Sequence, residues 1–168
     1  MSEEAKTTRN PAGRRSLARL AAVQALYQID LSGAAVGAVI AEFRKHRLGR
    51  EAEEENFGEA DAAFFTDIVE GVDHRRAELD QAISGVLTPD WPLPRLEVTL
   101  RAILRAGAYE LLARADVPAQ VVIAEYLAVA HAFFEGKEPG LVNGVLDRLA
   151  RVLRPTDFTE DGRGAHAR

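Results

Sequence analysis

An all-α fold of about six to seven helices in two small helical subdomains is predicted by three features of the sequence. Apolar residues recur at three- and four-residue spacings through most of the chain, which places them on one side of successive helices. No segment of real length alternates with period two, and Gln120-Val121-Val122-Ile123 is embedded in helical spacing. Pro89, Pro92 and Pro94 cluster around Trp91. Because proline lacks the N–H that a helix interior needs, they divide an N-terminal from a C-terminal helical group.

Residues 1–13, with Pro11 and Gly13 and no periodicity, read as a flexible lead-in. The first helix is expected from Arg14 to Asp30, with Leu17, Leu20, Val23, Tyr27 and Leu31 as its stripe and Gly33 as its stop. A second covers 34–47, with Val36, Val39, Ile40 and Phe43 on one face, and Leu48 to Gly58 is an acidic connector. A long third helix is expected from about Glu59 to Val86, striped by Phe64, Phe65, Ile68, Val69, Val72, Leu79 and Ile83.

After the prolines, Leu96, Leu100, Ile103, Leu104, Gly107 and Leu111 mark a helix from about Pro94 to Arg114. Asp116 is the expected N-cap of the next helix, with Pro118 in its first turn; it runs to about Phe134 and stops at Gly136. Residues Gly140 to Leu153 form the last helix, and Pro155 ends it. The expected organisation is therefore a flexible 1–13, a single helical domain over 14–154 subdivided near 87–94, and a disordered tail over 155–168.

The 168 residues are 47% hydrophobic and 28% charged, which supplies a core and lies far from disordered compositions. A net charge of −5 excludes a uniformly basic nucleic-acid coat but not a local basic patch. Residues 1–20 hold five bases against two acids, whereas residues 42–80 hold six against twelve, a split that suits a polyanion at one place and a basic partner at another. With no cysteine there is no disulfide, thiolate metal site or cysteine nucleophile, which fits a reducing cytosol. No apolar run approaches the about 20 residues that a membrane span needs. The opening Met1-Ser2-Glu3-Glu4-Ala5-Lys6 has no apolar h-region, so no secretory signal is expected. These features predict a soluble cytoplasmic protein without membrane association.

Catalytic and cofactor motifs are missing from the sequence. The four histidines lie far apart, and none has a second histidine four residues on. No glycine-rich loop ends in Lys-Ser or Lys-Thr, and no serine lies in a nucleophile elbow. Neither an enzyme nor a bound cofactor or metal is expected, and a binding module is the default.

Two segments carry binding chemistry. Arg15 and Arg19 are four apart on one helix face with Arg14 about 100° round from Arg15, and arginines there clamp phosphates bidentately. They are expected to point away from the Leu17/Leu20 stripe. Leu141-Val142-Asn143-Gly144-Val145-Leu146-Asp147 places two poor helix formers inside a strong helix, beside a loop that holds Lys137. Asn143 either reads a base edge or holds a loop by hydrogen bonds, and Gly144 either lets a ligand approach or lets two helices cross. Phe133 and Phe134 are candidates for base stacking, with at least one expected in the core.

Four blocks together resemble the NusB family of transcription antitermination factors. They are Arg15-Ser16-Leu17-Ala18-Arg19 with Ala22-Val23-Gln24-Ala25-Leu26-Tyr27, then Leu104-Arg105-Ala106-Gly107-Ala108-Tyr109-Glu110-Leu111. Asp116-Val117-Pro118 with Val122-Ile123-Ala124-Glu125 follows, and Val142-Asn143-Gly144-Val145-Leu146-Asp147 closes the set. They come in the family's order and spread from Arg14 to Leu153. The resemblance implies two helical subdomains, no catalysis, and binding of the boxA element of ribosomal RNA leader transcripts together with NusE, a ribosomal small-subunit protein. That assembly acts on the transcription elongation complex so that RNA polymerase reads through terminators. It implies RNA contacts at Arg14, Arg15 and Arg19 and near Lys137 and Leu141, to which the residue reading adds Asn143. It places Tyr27 toward NusE, the alternative being a core tyrosine with its hydroxyl at the rim. Leu141 stands where the family usually has an aromatic. Monomer and homodimer both remain compatible with it. The alternatives are the RNA-binding domain of a ribosomal-RNA methyltransferase, disfavoured by the lack of a methyl-donor region, and a helical protein–protein adaptor.

Overall fold

The computed structural model describes residues 10–48 and 60–163, which contain eight α-helices, one 3₁₀ turn and no β-strand. The chain forms two compact units, residues 1–74 and 75–168. The division falls between His74 and Arg75, upstream of the proline cluster expected to mark it.

In the first unit, α1 spans Pro11–Ser32, α2 Val36–His46 and α3 Ala62–His74. The first helix begins ahead of the expected Arg14 because Asn10 caps it. Its Oδ1 accepts from the Gly13 N–H at 2.7 Å, and Pro11, with its φ already set for helix, takes the first position. Residues 11–13 are thus helical, and the flexible segment expected over 1–9 lies outside the described residues. Gly33 ends α1 in the left-handed region at φ 75°, as its glycine suggested. The acidic connector expected over 48–58 also falls almost wholly outside the described residues.

The buried face of α1 differs from the expected stripe. Ala18, Ala21, Ala22, Val23, Ala25 and Leu26 are buried, whereas Leu17 and Leu20 are half-buried and Tyr27 and Leu31 are exposed. Alanine lets the α1 backbone approach its neighbours closely, so the small residues rather than the large ones mark the inner side. They pack with Val39, Ile40 and Phe43 of α2 and with Phe64, Phe65, Ile68, Val69 and Val72 of α3 in the core of this unit. The Phe43 and Phe65 rings stack at 5.4 Å.

In the second unit, α4 covers Arg76–Val86, a 3₁₀ turn Leu93–Arg95, α5 Val98–Ala113, α6 Ala119–Phe133, α7 Glu138–Leu153 and α8 Thr156–Arg163. The single helix expected from Glu59 to Val86 is two helices, broken at Arg75 (φ −109°, ψ 21°). Between Val72 and Leu79 the apolar stripe lapses through Asp73, His74, Arg75 and Arg76, so no buried face holds one continuous rod. α5 starts later than expected because Glu97 caps it, its Oε1 accepting from the N–H groups of Thr99 (2.8 Å) and Leu100 (3.3 Å). The tail, expected to be disordered, forms α8; residues 164–168 lie outside the described residues.

The core of this unit holds Leu79, Ile83, Leu100, Ile103, Leu104, Leu111, Tyr126 and Leu146. Gly107 marks its tightest approach, since a Cβ there would meet Leu146 Cδ1 at 2.8 Å. Gly144 is not such a point; a Cβ there would meet only the Arg148 guanidinium, at 3.4 Å. Buried polar groups are paired: the Tyr126 hydroxyl donates to Glu110 Oε2 at 2.5 Å, and Arg105 donates to both carboxylate oxygens of Asp80 at 2.7 and 3.1 Å.

Candidate nucleic-acid interface

The basic start of α1 is built on the first turn of α3. Asp61 opens α3 by accepting the Phe64 N–H at Oδ1 (3.0 Å), and its own N–H donates to the Arg14 carbonyl (3.0 Å), tying the two helix starts together. Phe64, 2% exposed, then lies beneath both arginines of the pair: the Arg15 guanidinium carbon is 4.3 Å from its ring centre and that of Arg19 4.9 Å. Arg15 Nε also lies 4.0 Å from Asp61 Oδ2.

The three arginines occupy different environments. Arg14 is exposed and Arg15 half-buried, so both present donors at the surface. Arg19 is 3% exposed, and the expectation that it points into solvent is corrected. Its helix face is the alanine face, not the one opposite Leu17 and Leu20. Arg19 lies between helices and reaches the surface only through what it holds in place. From sequence Phe64 was read only as part of an apolar stripe, and Asp61 was not singled out. The local signal was an Asp three residues before a Phe at a helix start, but nothing local links it to α1.

Tyr27 also belongs to this unit. It is 38% exposed, and Leu31, one turn on, is 61% exposed, so the two form an apolar pair on one side of α1. That exposure removes the alternative of Tyr27 as a core tyrosine.

Lys137, Leu141 and Asn143 belong to the second unit. Lys137 is exposed at the N-cap position of α7, and Leu141, half-buried, donates its N–H to the Lys137 carbonyl at 3.1 Å. Spaced four apart, these two share a face, whereas Asn143 lies about 200° round from Leu141. Asn143 is exposed, and among the described residues its amide reaches no hydrogen-bond partner, so it does not brace a loop there. Phe133 is 40% exposed and Phe134 half-buried, with ring centres 6.5 Å apart, so neither is the core residue expected.

Among the described residues no group of three or more His, Asp or Glu side chains could hold a metal ion, and no helix is long and apolar enough to cross a membrane. A hollow of about 370 Å³ is lined by Pro89, Pro92, Pro94 and their neighbours, with no charged side chain in its lining.

Comparison with known proteins agrees with this architecture. The family model described as NusB matches residues 16–151. The transcription antitermination protein NusB of Rhodopseudomonas palustris (strain HaA2) is 52% identical over 148 residues, 88% of each chain. A solved structure of T. maritima NusB superposes with a TM-score of 0.72 at 27% identity, covering 86% of this chain and 96% of that one. A crystal structure of the antitermination factors NusB and NusE in complex with dsRNA shares the fold at a TM-score of 0.68 and 22% identity, covering 83% and 97%. With the match running from Ser16 through all but the last residues of α7, the chain belongs to the NusB family.

Proposed function

We propose that this protein is a non-catalytic, cytoplasmic RNA-binding antitermination factor that binds boxA RNA of ribosomal RNA leader transcripts together with NusE and promotes read-through by RNA polymerase. The observation that carries the RNA part is the stacked start of α1, where Phe64 and Asp61 hold Arg15 beside the exposed Arg14. An arginine already fixed in place loses less rotamer freedom when it grips a phosphate, so the site is pre-ordered for a polyanion. Arg14 and Arg15 contact the backbone and set register; Arg19 acts as a positioning residue beneath them.

In the second unit, Lys137 supplies a further cation, Leu141 an apolar contact and Asn143 an amide for a base edge. Phe133, exposed near the same loop, provides the stacking face that Leu141 lacks. Tyr27 and Leu31 form the apolar pair for the protein partner.

Binding of boxA RNA across a salt series tests the reading, for wild type and for Arg14→Gln/Arg15→Gln. If each arginine neutralises one phosphate of single-stranded RNA, the slope of log K against log salt shrinks by about 1.4 for the pair. Equal slopes and affinities would make these arginines an ordinary solvated helix face and remove the assignment.

A further inference from the structure

The first two turns of α3 gather basic residues from a second helix. On one side Asp61 and Phe64 hold Arg15 and Arg19 of α1. On another, Phe65 stacks on Phe43 of α2, the Arg47 guanidinium carbon lies 4.5 Å from the Phe43 ring centre, and Arg44 donates to Thr66 Oγ1 at 2.8 Å. The start of α1, the end of α2 and the start of α3 therefore meet at one end of the first unit. The exposed cations at that end are Arg14, Arg44 and Lys45, with Arg15 and Arg47 half-buried beside them. Both the α1 and α3 N-termini add partial positive charge there. Among the acidic side chains described near this end, which include Glu42 and Asp67, Asp61 caps α3 and lies near Arg15.

The charge split along the sequence hides this patch. Arg44, Lys45 and Arg47 fall within the segment 42–80, whose net balance is acidic, yet folding carries them to the same end as Arg14 and Arg15.

We propose that the end of α2 is a second backbone-binding element, with Arg44 and Lys45 gripping phosphates of single-stranded RNA beyond the nucleotides held at Arg14 and Arg15. The proposal rests on the RNA reading above and extends its footprint across α3. Phosphate contacts of this kind add affinity and salt dependence but no base preference. Arg44 and Lys45 therefore act on RNA long enough to pass over α3, and a minimal element ending at α1 does not reach them.

The test uses the full chain and two single-stranded RNAs, one carrying only a boxA element and one extended on both sides of it. Three variants are compared with wild type: R44Q/K45Q, the charge-keeping R44K/K45R, and R14Q/R15Q. On the extended RNA, R44Q/K45Q is expected to shrink the slope of log K against log salt by about 1.4, and R44K/K45R to keep it. On the minimal RNA, R44Q/K45Q leaves the slope unchanged while R14Q/R15Q reduces it. An unchanged thermal midpoint for R44Q/K45Q shows that the loss is not unfolding. Wild-type slopes for R44Q/K45Q on both RNAs would overturn the proposal, leaving these cations to offset the α2 C-terminus and nearby acidic residues. That failure is distinct from failure of the α1 site, which appears in R14Q/R15Q, and absence of binding by wild type would remove both.

Discussion

Arg14 and Arg19 lie on neighbouring turns of α1, yet one is solvated and the other is shut between helices over the Phe64 ring. Their removal should therefore differ in kind. Arg14→Ala is expected to change the unfolding free energy by no more than about 0.5 kcal/mol, as solvated helix positions do. Arg19→Ala removes a side chain whose stem packs in the interior and whose head lies on an aromatic face, a loss of about 2 kcal/mol. Urea unfolding of the two variants checks this, and equal midpoints would mean that burial of Arg19 contributes nothing. The triple alanine change of Arg14, Arg15 and Arg19 is for the same reason a poor probe of RNA binding. Asn143→Ala is expected to leave the melting temperature in place, because the amide braces nothing among the described residues. It should instead reduce discrimination between boxA and scrambled RNA, measured as the ratio of the two affinities. The candidate arginines were legible as a basic helix start. That Arg19 faces inward was not, because alanine at Ala18, Ala22 and Ala25 is equally at home on either side of a helix.

The helices of the second unit are joined by contacts that no local pattern reveals. Arg154, just past α7, donates from its guanidinium to the carbonyls of Glu110, Leu111, Arg114 and Val117, at 2.8 to 3.2 Å, and to Asp157 Oδ2 at 3.1 Å. It thus adds a donor to carbonyls at and just past the end of α5. Asp157 in turn accepts the Ala119 N–H at 2.9 Å and caps α6. Asp116, the N-cap expected from sequence, pairs with Arg114 instead. The helical type of these segments was legible from apolar spacing, although the break at Arg75 was not. These caps come from residues far along the chain, so helix boundaries were not legible either. Arg154→Ala should cost about 2 kcal/mol, because four carbonyls and the Asp157 carboxylate lose a guanidinium donor at once, while those of Glu110 and Arg114 keep a backbone N–H. The glycines offer a paired test. Gly107→Ala forces Leu146 to move in a packed core, and that outweighs the better helix propensity of alanine, for a net loss of about 1 kcal/mol. Gly144→Ala meets only a flexible guanidinium and should stabilise by up to about 1 kcal/mol. Thermal unfolding that ranked the two the other way would contradict the close approach at Gly107.

At the scale of the whole molecule, the proposed function asks an acidic protein to hold an acidic ligand and a basic partner. The net charge of −5 disfavours RNA at long range, so binding relies on cations concentrated where the helix ends of the first unit meet. On the proposed function, a basic partner would ease the same conflict by bringing its own positive charge to the complex. The proposed contact on this side is Tyr27 with Leu31, large apolar side chains left open on α1 while smaller alanines fill the interior. Tyr27→Ala/Leu31→Ala should leave folding and intrinsic RNA binding intact, because both side chains are exposed and neither is part of the arginine cluster. It should weaken the complex with NusE about tenfold or more, the loss typical of removing an aromatic anchor from an interface. Sedimentation of the mixture at micromolar concentration reads the result directly: one species for wild type with NusE, and two for the variant. A wild-type chain that self-associates through this pair would instead sediment as a homodimer alone, lost in the variant and unaffected by NusE. If wild type and variant bound NusE equally, Tyr27 and Leu31 would lie off the partner surface, and the acidic segment 42–80 would become the place to look for it.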